Sequence, residues 1–185
     1  AVAQKVCDNV RTMGMAIKPC IVPAAGTPGF ELADDEMEIG IGIHGEPGTH
    51  REKMSTVNGI SDQLLDKILA EGIYNSGDEV AVMVNGMGGT PLMELFVANN
   101  HIKDVLAAKG IKIYKTLVGN YMTSLDMEGF SITLLKLDDE GEIIDIAKKI
   151  QKGRYSVRDV EKITAKKKEE KHCFRTSAAR LVKSS

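Results

Sequence analysis

The stretch Val80-Ala81-Val82-Met83-Val84-Asn85-Gly86-Met87-Gly88-Gly89-Thr90-Pro91 (residues 80–91) joins a short apolar run to a glycine-rich turn and a proline. A continuous apolar run bounded by turn residues predicts a strand that is buried on both faces. Proline is favoured as the first residue of a helix, so residues 91–109 are predicted to form the next element. The stretch therefore predicts a strand, a tight turn and a helix in succession, which is typical of an α/β domain.

Further strands and helices are predicted on both sides of this stretch. Alternation of apolar residues with polar residues or glycine predicts strands, and apolar residues at helical spacing predict helices. Strands are predicted at 38–44, 111–118 and 130–137, helices at 3–16 and 61–70, and a short helical turn within 120–129 with Thr123 as its N-cap. This alternation indicates an α/β fold with helices packed on a mixed sheet, in the form of a two-layer α/β sandwich.

Length and composition are those of a single globular domain followed by additional residues. The chain has 185 residues, of which 43% are hydrophobic. No apolar run approaches the roughly 20 residues of a membrane-spanning helix, so no membrane association is expected. The chain begins Ala1-Val2-Ala3-Gln4, without the basic and apolar regions of a signal peptide. Three cysteines at spacings that match no zinc motif favour a reducing compartment, and the expected location is the cytoplasm.

Charge divides the chain into an acidic body and a basic tail. The net charge is -2, yet 13 of the 24 Lys and Arg residues and only 4 of the 26 Asp and Glu residues lie within residues 148–183. The basic run carries no recognised nucleic-acid motif, so a solvated tail is favoured and nucleic-acid binding is not expected. We predict one domain at residues 1–140 and a basic tail at residues 141–185, whose structure the pattern leaves open.

One histidine emerges from a run of glycines. His44 lies within Gly40-Ile41-Gly42-Ile43-His44-Gly45-Glu46-Pro47-Gly48, at the predicted end of a strand. Glycines on both sides remove side chains from around the imidazole and leave room for a small molecule to approach a ring nitrogen. A single histidine at such a place is more often a satisfied core or turn residue. Spacing alone leaves both interpretations open.

Three segments of the chain resemble, in the same order, the substrate-binding subunit of the dihydroxyacetone kinase family. They are EIGIGIHGEPG (residues 38–48), NGMGGTPLMEL (residues 85–95) and VGNYMTSLDMEGFS (residues 118–131). The resemblance extends from the N-terminus to about residue 140 and is to the second half of that subunit.

The resemblance implies that His44 binds dihydroxyacetone covalently, as a hemiaminal on the ketone carbon, with Gly45 also contacting the substrate. A neutral imidazole is a competent nucleophile near neutral pH, because its ordinary pKa is about 6.5. Glycerol, which has no carbonyl carbon, would not form this adduct.

The remaining catalytic groups are implied to lie outside this chain. In the family, the general base and the groups that bind the substrate hydroxyls belong to the first half of the subunit. ATP or ADP with Mg²⁺ is carried by a separate helical module, which is either a partner kinase subunit or a fused domain. No cofactor or metal site is therefore expected here, and the full-length subunit is expected to be a homodimer. The phosphoryl donor is left open between ATP and a nucleotide-loaded partner that a phosphotransferase system recharges.

Two alternatives accompany this interpretation. A paralogue of the subunit can bind the ketone and act as a transcriptional co-regulator without catalysis. In addition, residues 85–90 suggest a phosphate cradle, but they lack the lysine of a P-loop and a complete GxGxxG motif, so a tight turn packed on a neighbouring loop is favoured. The sequence also favours a solvated turn for Glu46 over a role in orienting His44, and surface positions for His50 and His101.

Overall fold

The computed structural model describes residues 2–44 and 46–137. Gly45 and residues 138–185 lie outside the described residues, so the boundary at residue 140 and the basic tail at residues 141–185 stay predictions. Helix α1 (Val2–Asn9) opens the described chain. Residues 9–137 form a compact unit of their own.

Six strands and two helices follow α1 within the described residues. The strands are β1 (Val10–Lys18), β2 (Glu36–Ile39), β3 (His50–Lys53), β4 (Glu79–Gly86), β5 (Lys112–Gly119) and β6 (Glu128–Lys136). The helices are α2 (Val57–Leu69) and α3 (Leu92–Ala108). Thr56 caps α2, because its hydroxyl oxygen accepts the Gly59 N–H at 3.2 Å.

The strands form one mixed sheet in the order β3-β2-β1-β6-β4-β5. β4 and β5 are parallel, and α3 carries the chain from the end of one to the start of the other. All other neighbouring strands are antiparallel. The predicted mixed sheet is thereby confirmed, and the segment that contains His44 connects β2 to β3 at one edge of it.

Both helices pack on the same face of the sheet, where they also contact each other. Alternate strand residues point toward them, including Val80, Val82 and Val84 of β4 and Phe130, Ile132 and Leu134 of β6. These side chains form one core with helix residues such as Leu64, Leu65, Leu95 and Ile102. Full burial of one such side chain stabilises the fold by roughly 1.5–3 kcal/mol. The two-layer arrangement predicted from the sequence is confirmed.

Among residues 2–44 and 46–137, side chains cover the opposite face of the sheet at one end. Ala16, which points away from the helices, forms a second cluster with Ile41, Met87 and Met127. Cys20 and Phe30 pack against that cluster. Because Ile41 belongs to the segment between β2 and β3, this cluster attaches the start of that segment to the sheet.

The predicted N-terminal helix at residues 3–16 is wrong beyond Asn9. Val6, Val10 and Met13 happen to match helical spacing, whereas residues 10–18 pair with β6 as strand β1. In this strand every second side chain, that of Met13, Met15 and Ile17, points toward the helices. Pairing with a strand more than a hundred residues away therefore overrides the local helical pattern.

The predicted strand at residues 38–44 ends earlier than expected. β2 stops at Ile39, because Gly40 has a φ of +84° and cannot continue an extended strand. His44 consequently lies in a loop and not at a strand end. The helical turn predicted within 120–129 is also wrong, because residues 120–127 form no helix and Thr123 caps none. Ala81 and Met83 of β4 are only half-buried, so this strand is fully buried on one face alone.

Candidate functional site

The His44 loop, residues 40–49, connects β2 to β3 and is closed at its base by backbone hydrogen bonds. The Thr49 N–H donates to the Ile39 carbonyl at 2.7 Å, directly beside the last pair of the two strands. The Gly40 N–H donates to the Gly14 carbonyl of β1 at 2.6 Å. The loop is therefore fixed to the sheet at both of its ends.

His44 projects from this loop into solvent beside the carboxylate of Glu46. Its side chain is 81% exposed. Glu46 Oε2 accepts the backbone N–H of His44 at 3.0 Å, and Glu46 Oε1 lies 3.4 Å from His44 Nδ1. A Cβ at Gly42 would lie 2.2 Å from Glu46 Oε2, so only glycine lets the carboxylate fold back onto the histidine. Among the described residues, His44 Nε2 has no hydrogen-bond or ion-pair partner.

Glu46 places a carboxylate beside one nitrogen of the imidazole. Hydrogen bonds from its own backbone N–H and from the His44 N–H keep the pKa of the Glu46 carboxyl below its usual value of 4.5. An ionised carboxylate beside Nδ1 favours the proton on that nitrogen and leaves the lone pair on Nε2. This geometry supports an orienting role for Glu46, in place of the solvated turn that the sequence favoured.

Two further residues of this region are Gly45, which the structure does not describe, and Glu38, which it does. Gly45, expected to contact the substrate together with His44, lies outside the described residues. Glu38, at the end of β2, is buried and accepts the Gly48 N–H at 2.6 Å. Nothing in the sequence singled out Glu38, although a carboxylate between the core residues Met37 and Ile39 is an unusual member of a strand.

The glycine-rich turn at residues 86–89 packs against the loop formed by residues 120–127. The Met87 N–H donates to the Gly129 carbonyl at 3.1 Å, and the Gly89 N–H donates to the Met127 carbonyl at 2.9 Å. A Cβ at Gly88 would lie 1.9 Å from the Leu125 carbonyl oxygen. Because these N–H groups are already bonded, they do not form a phosphate cradle. The tight, packed turn favoured from the sequence is confirmed.

The other two histidines of the described chain are His50 and His101. His50 belongs to β3 and its side chain is 43% exposed, so the predicted surface position is confirmed. His101 is only 22% exposed, and its Nε2 lies 2.7 Å from Asp62 Oδ1. His101 is therefore half-buried at the surface, where its contact with Asp62 joins α3 to α2.

Metal sites and membrane spans were expected to be absent from this chain. Within residues 2–44 and 46–137, no group of three His, Cys, Asp or Glu side chains is arranged to hold a metal ion. In the same residues, no helix combines the length and the apolar character needed to cross a membrane.

The chain is similar to known proteins over most of its length. Residues 1–151 match the Dak1 domain. Over 140 residues the chain is 53% identical to the dihydroxyacetone-binding subunit DhaK of the PTS-dependent dihydroxyacetone kinase 1 of Listeria innocua. That alignment covers 76% of this chain and 43% of the relative. The chain thus spans less than half the length of this curated relative.

Two solved structures share the fold. The dihydroxyacetone kinase operon co-activator Dha-DhaQ superposes with a TM-score of 0.72 at 35% identity, over 78% of this chain and 44% of the other. The dihydroxyacetone kinase from C. freundii, in complex with AMP-PNP and Mg²⁺, superposes with a TM-score of 0.59 at 28% identity, over 76% of this chain and 26% of the other. The resemblance to the substrate-binding subunit of dihydroxyacetone kinases is confirmed, and the chain belongs to the Dak1 domain family.

Proposed function

We propose that this chain supplies the covalent substrate-binding residue of a dihydroxyacetone kinase, and that this residue is His44. The observation that carries the proposal is the pairing of His44 Nδ1 with Glu46, which leaves Nε2 facing solvent. The name of the Listeria innocua relative supports dihydroxyacetone as the substrate. Gly45, as the next residue in the loop, is proposed to contact the bound ketone.

The proposed step joins Nε2 of His44 to the ketone carbon. The Nε2 lone pair attacks the carbonyl carbon, and the electron pair of the C=O bond moves onto the oxygen, which takes up a proton. The proton on Nδ1 is released, so the product is a neutral hemiaminal. While the ring carries positive charge, the ionised Glu46 beside Nδ1 stabilises it. Glycerol has no carbon that can be attacked, so the bond itself selects ketones and aldehydes.

We propose that phosphoryl transfer requires groups beyond those of the residues that the structure describes. The acceptor in this transfer is a hydroxyl of the bound ketone, and it must be held in line with the γ-phosphoryl group of a nucleotide. Positioning of these two groups supplies much of the rate. The C. freundii kinase was solved with AMP-PNP and Mg²⁺, which supports a nucleotide-binding module as the partner. The PTS-dependent name of the relative supports a nucleotide-loaded partner subunit as the donor in this case.

A second candidate is a ketone-sensing co-regulator that performs no transfer. The superposition on the co-activator Dha-DhaQ favours it specifically. Both candidates use the same His44 adduct, so binding does not separate them. If the protein is a kinase, the full-length protein with its nucleotide-binding partner should turn over dihydroxyacetone. If it forms a saturable adduct but shows no turnover, it is the co-regulator.

We also propose a cytoplasmic homodimer. The sheet face opposite the helices carries Met83, Leu117 and Leu135, and Leu117 is 39% exposed. The three cysteines at spacings unlike those of zinc motifs favour a reducing compartment. Light scattering on the full-length protein should give twice the monomer mass, and cell fractionation should recover the protein with cytoplasmic markers.

The His44→Ala variant of the full-length protein tests the central proposal. Because the covalent bond is lost, dihydroxyacetone binding by calorimetry is expected to weaken by about a hundredfold or more, equivalent to roughly 3 kcal/mol. In a crystal soaked with dihydroxyacetone, electron density should be continuous from the imidazole to the ketone carbon. His50→Ala, on the neighbouring strand, is the matched control and should bind as the wild type does. Unchanged affinity in His44→Ala would refute the covalent role.

A further inference from the structure

Glu38 is a buried carboxylate at the base of the His44 loop. It is 6% exposed, and it follows Met37 and precedes Ile39, both of which are core residues. Burying an ionised carboxylate is unfavourable unless hydrogen bonds and opposite charge compensate it. Its Oε2 accepts from Arg51 Nε at 3.3 Å, directly across the β2–β3 pair. The other oxygen, Oε1, is bonded to the loop itself.

That second bond joins Glu38 to Gly48, near the end of the His44 loop. Oε1 accepts the Gly48 N–H at 2.6 Å. Gly48 is pressed so closely onto β2 that a Cβ there would lie 2.4 Å from the Ile39 carbonyl oxygen and 2.6 Å from Glu38 Cγ. The N–H of the next residue, Thr49, donates to the Ile39 carbonyl and completes the closure. The end of the loop is therefore held by a side chain as well as by the sheet.

Glu46 is itself joined to the opposite side of the loop. Glu46 is two residues before Gly48, and its carbonyl accepts the Gly42 N–H at 3.3 Å across the loop. In this closed loop, the Glu46 carboxylate reaches both the His44 N–H and Nδ1. Release of Gly48 would lengthen the free segment and allow Glu46 to turn toward solvent, where it is already 59% exposed.

We propose that Glu38 is a positioning residue for His44: its carboxylate holds Gly48 against β2, and this keeps Glu46 on the imidazole. The inference rests on the proposed function, because His44 is taken as the nucleophile. The hydrogen-bond partners of the Glu38 side chain are Gly48 and Arg51, and the imidazole is not among them. Its effect is transmitted through the Gly48 backbone and then through Glu46.

The first measurement follows the His44 tautomer in the ligand-free, full-length protein with isotope-labelled histidine. In the wild type, the imidazole nitrogen shifts should report a proton on Nδ1. In Glu38→Ala, both tautomers should be populated, whereas Glu38→Gln keeps an oxygen for the Gly48 N–H and should restore the Nδ1–H form. Wild-type shifts in Glu38→Ala would overturn the proposal, whether or not an adduct forms.

The second measurement compares dihydroxyacetone binding in the same variants. Glu38→Ala should weaken binding about tenfold, the equivalent of one hydrogen bond to a charged group, and Glu38→Gln should recover most of that loss. Asp35→Ala, which removes the ion pair between the residue before β2 and Lys53 of β3, should leave binding unchanged. Equal losses in Asp35→Ala and Glu38→Ala would show a general effect of the hairpin and overturn the proposal.

A further variant covers the case in which Glu38→Ala does not fold. Gly48→Ala keeps the carboxylate and its Arg51 partner but forces Gly48 away from β2. The same loss of the Nδ1–H tautomer and of binding is expected. An adduct that forms normally in both variants would refute the role of Glu38 while leaving the covalent role of His44 intact. The role of Glu38 would likewise be refuted if the adduct were lost in His44→Ala but in neither Glu38→Ala nor Gly48→Ala.

Discussion

At the scale of single residues, the site depends on glycines as much as on ionisable side chains. Glu46 reaches His44 because Gly42 has no Cβ, and Glu38 reaches the loop because Gly48 has none. The sequence suggested that these glycines leave space for a ligand. In the structure, the space at Gly42 and Gly48 is filled by carboxylates, and the open space is that around His44 Nε2.

Replacement of Glu46 by glutamine should weaken ketone binding without unfolding the loop. Glu46→Gln keeps an oxygen for the His44 N–H but removes the negative charge beside Nδ1. A charge-assisted hydrogen bond is about twice as strong as a neutral one, so binding by calorimetry should fall by about fivefold to tenfold. Glu52→Gln, beside the exposed His50, is the control that should change nothing. Equal affinities for wild type and Glu46→Gln would exclude an electrostatic role.

Tyr74 should make the fold sensitive to alkaline pH. Its hydroxyl donates to the Leu134 carbonyl at 2.7 Å, and burial raises the pKa of Tyr74 from 10.0 to about 12. The folded state therefore keeps the phenol proton after the unfolded chain has lost it. This stabilisation is complete below pH 10 and is lost as the pH rises toward about 12, by on the order of 2 kcal/mol in the free energy of unfolding.

Urea unfolding of Tyr74→Phe measures this effect. The variant should lose about 1 kcal/mol near pH 7 with the hydrogen bond, and its stability should then fall less between pH 10 and pH 12 than that of the wild type. Tyr121→Phe, at an exposed position, should retain the full alkaline loss. A Tyr74→Phe protein with an unchanged alkaline profile would contradict the assignment.

The residues that form the site differ in how far the sequence reveals them. His44 stands out because a single histidine among glycines is unusual and its segment resembles a known family. Glu38 does not stand out, and the sequence favours a solvated turn for Glu46, because the partners of both carboxylates include backbone N–H groups that are close only in the folded loop. No residue spacing along the chain encodes that closure.

At the scale of elements, the glycine-rich turn after β4 and the loop at residues 120–127 form one packed unit. Asn85, which is 1% exposed, accepts the N–H groups of Tyr121 and Met122 and donates to the Met122 carbonyl at 2.8 Å. These bonds replace the helical turn that Thr123 was predicted to cap. A buried amide thus organises a loop whose own sequence pattern pointed to another structure.

Substitution of Gly88 should disrupt this unit. Gly88→Ala would place a Cβ 1.9 Å from the Leu125 carbonyl oxygen, at a φ of +124°. Gly77→Ala, at a φ of +93° with nothing within 4 Å, carries the conformational strain without the collision. We expect losses in unfolding free energy of about 1 kcal/mol for Gly77→Ala and about 3 kcal/mol or more for Gly88→Ala by urea unfolding. Similar losses of stability in Gly77→Ala and Gly88→Ala would show that Leu125 moves aside at little cost.

The strands that the sequence missed share one physical cause. β1 carries apolar residues that fit helical and strand spacing alike, and β3 has the sequence HREK without apolar alternation. Each is a strand because a partner pairs with it: β6 for the first and β2 for the second. By contrast, β4, α3, β5 and β6 follow clear local patterns, and all four were predicted within a few residues.

At the scale of the whole molecule, the fold class could be predicted but the strand order could not. Alternating strands and helices limit the fold to an α/β sheet. The order β3-β2-β1-β6-β4-β5 depends on contacts between distant residues, such as Met13 with Ile132. One consequence is that His44, with a side chain that is 81% exposed, lies in the loop that joins the two strands at one edge of the sheet.

The chain by itself should show no kinase activity. It spans 43% of its Listeria innocua relative, and its candidate nucleophile is a side chain that is 81% exposed and contacts one carboxylate. Transfer from a nucleotide needs the acceptor hydroxyl held in line with the γ-phosphoryl group, and positioning supplies much of the rate. With ATP, Mg²⁺ and dihydroxyacetone, a coupled assay of the 185-residue chain should therefore stay at background. The full-length protein with its nucleotide-binding partner should turn over, and its His44→Ala variant should lose activity. The prediction would be contradicted if the isolated chain turned over dihydroxyacetone and if His44→Ala abolished that turnover. The groups needed for transfer would then lie on the 185-residue chain itself.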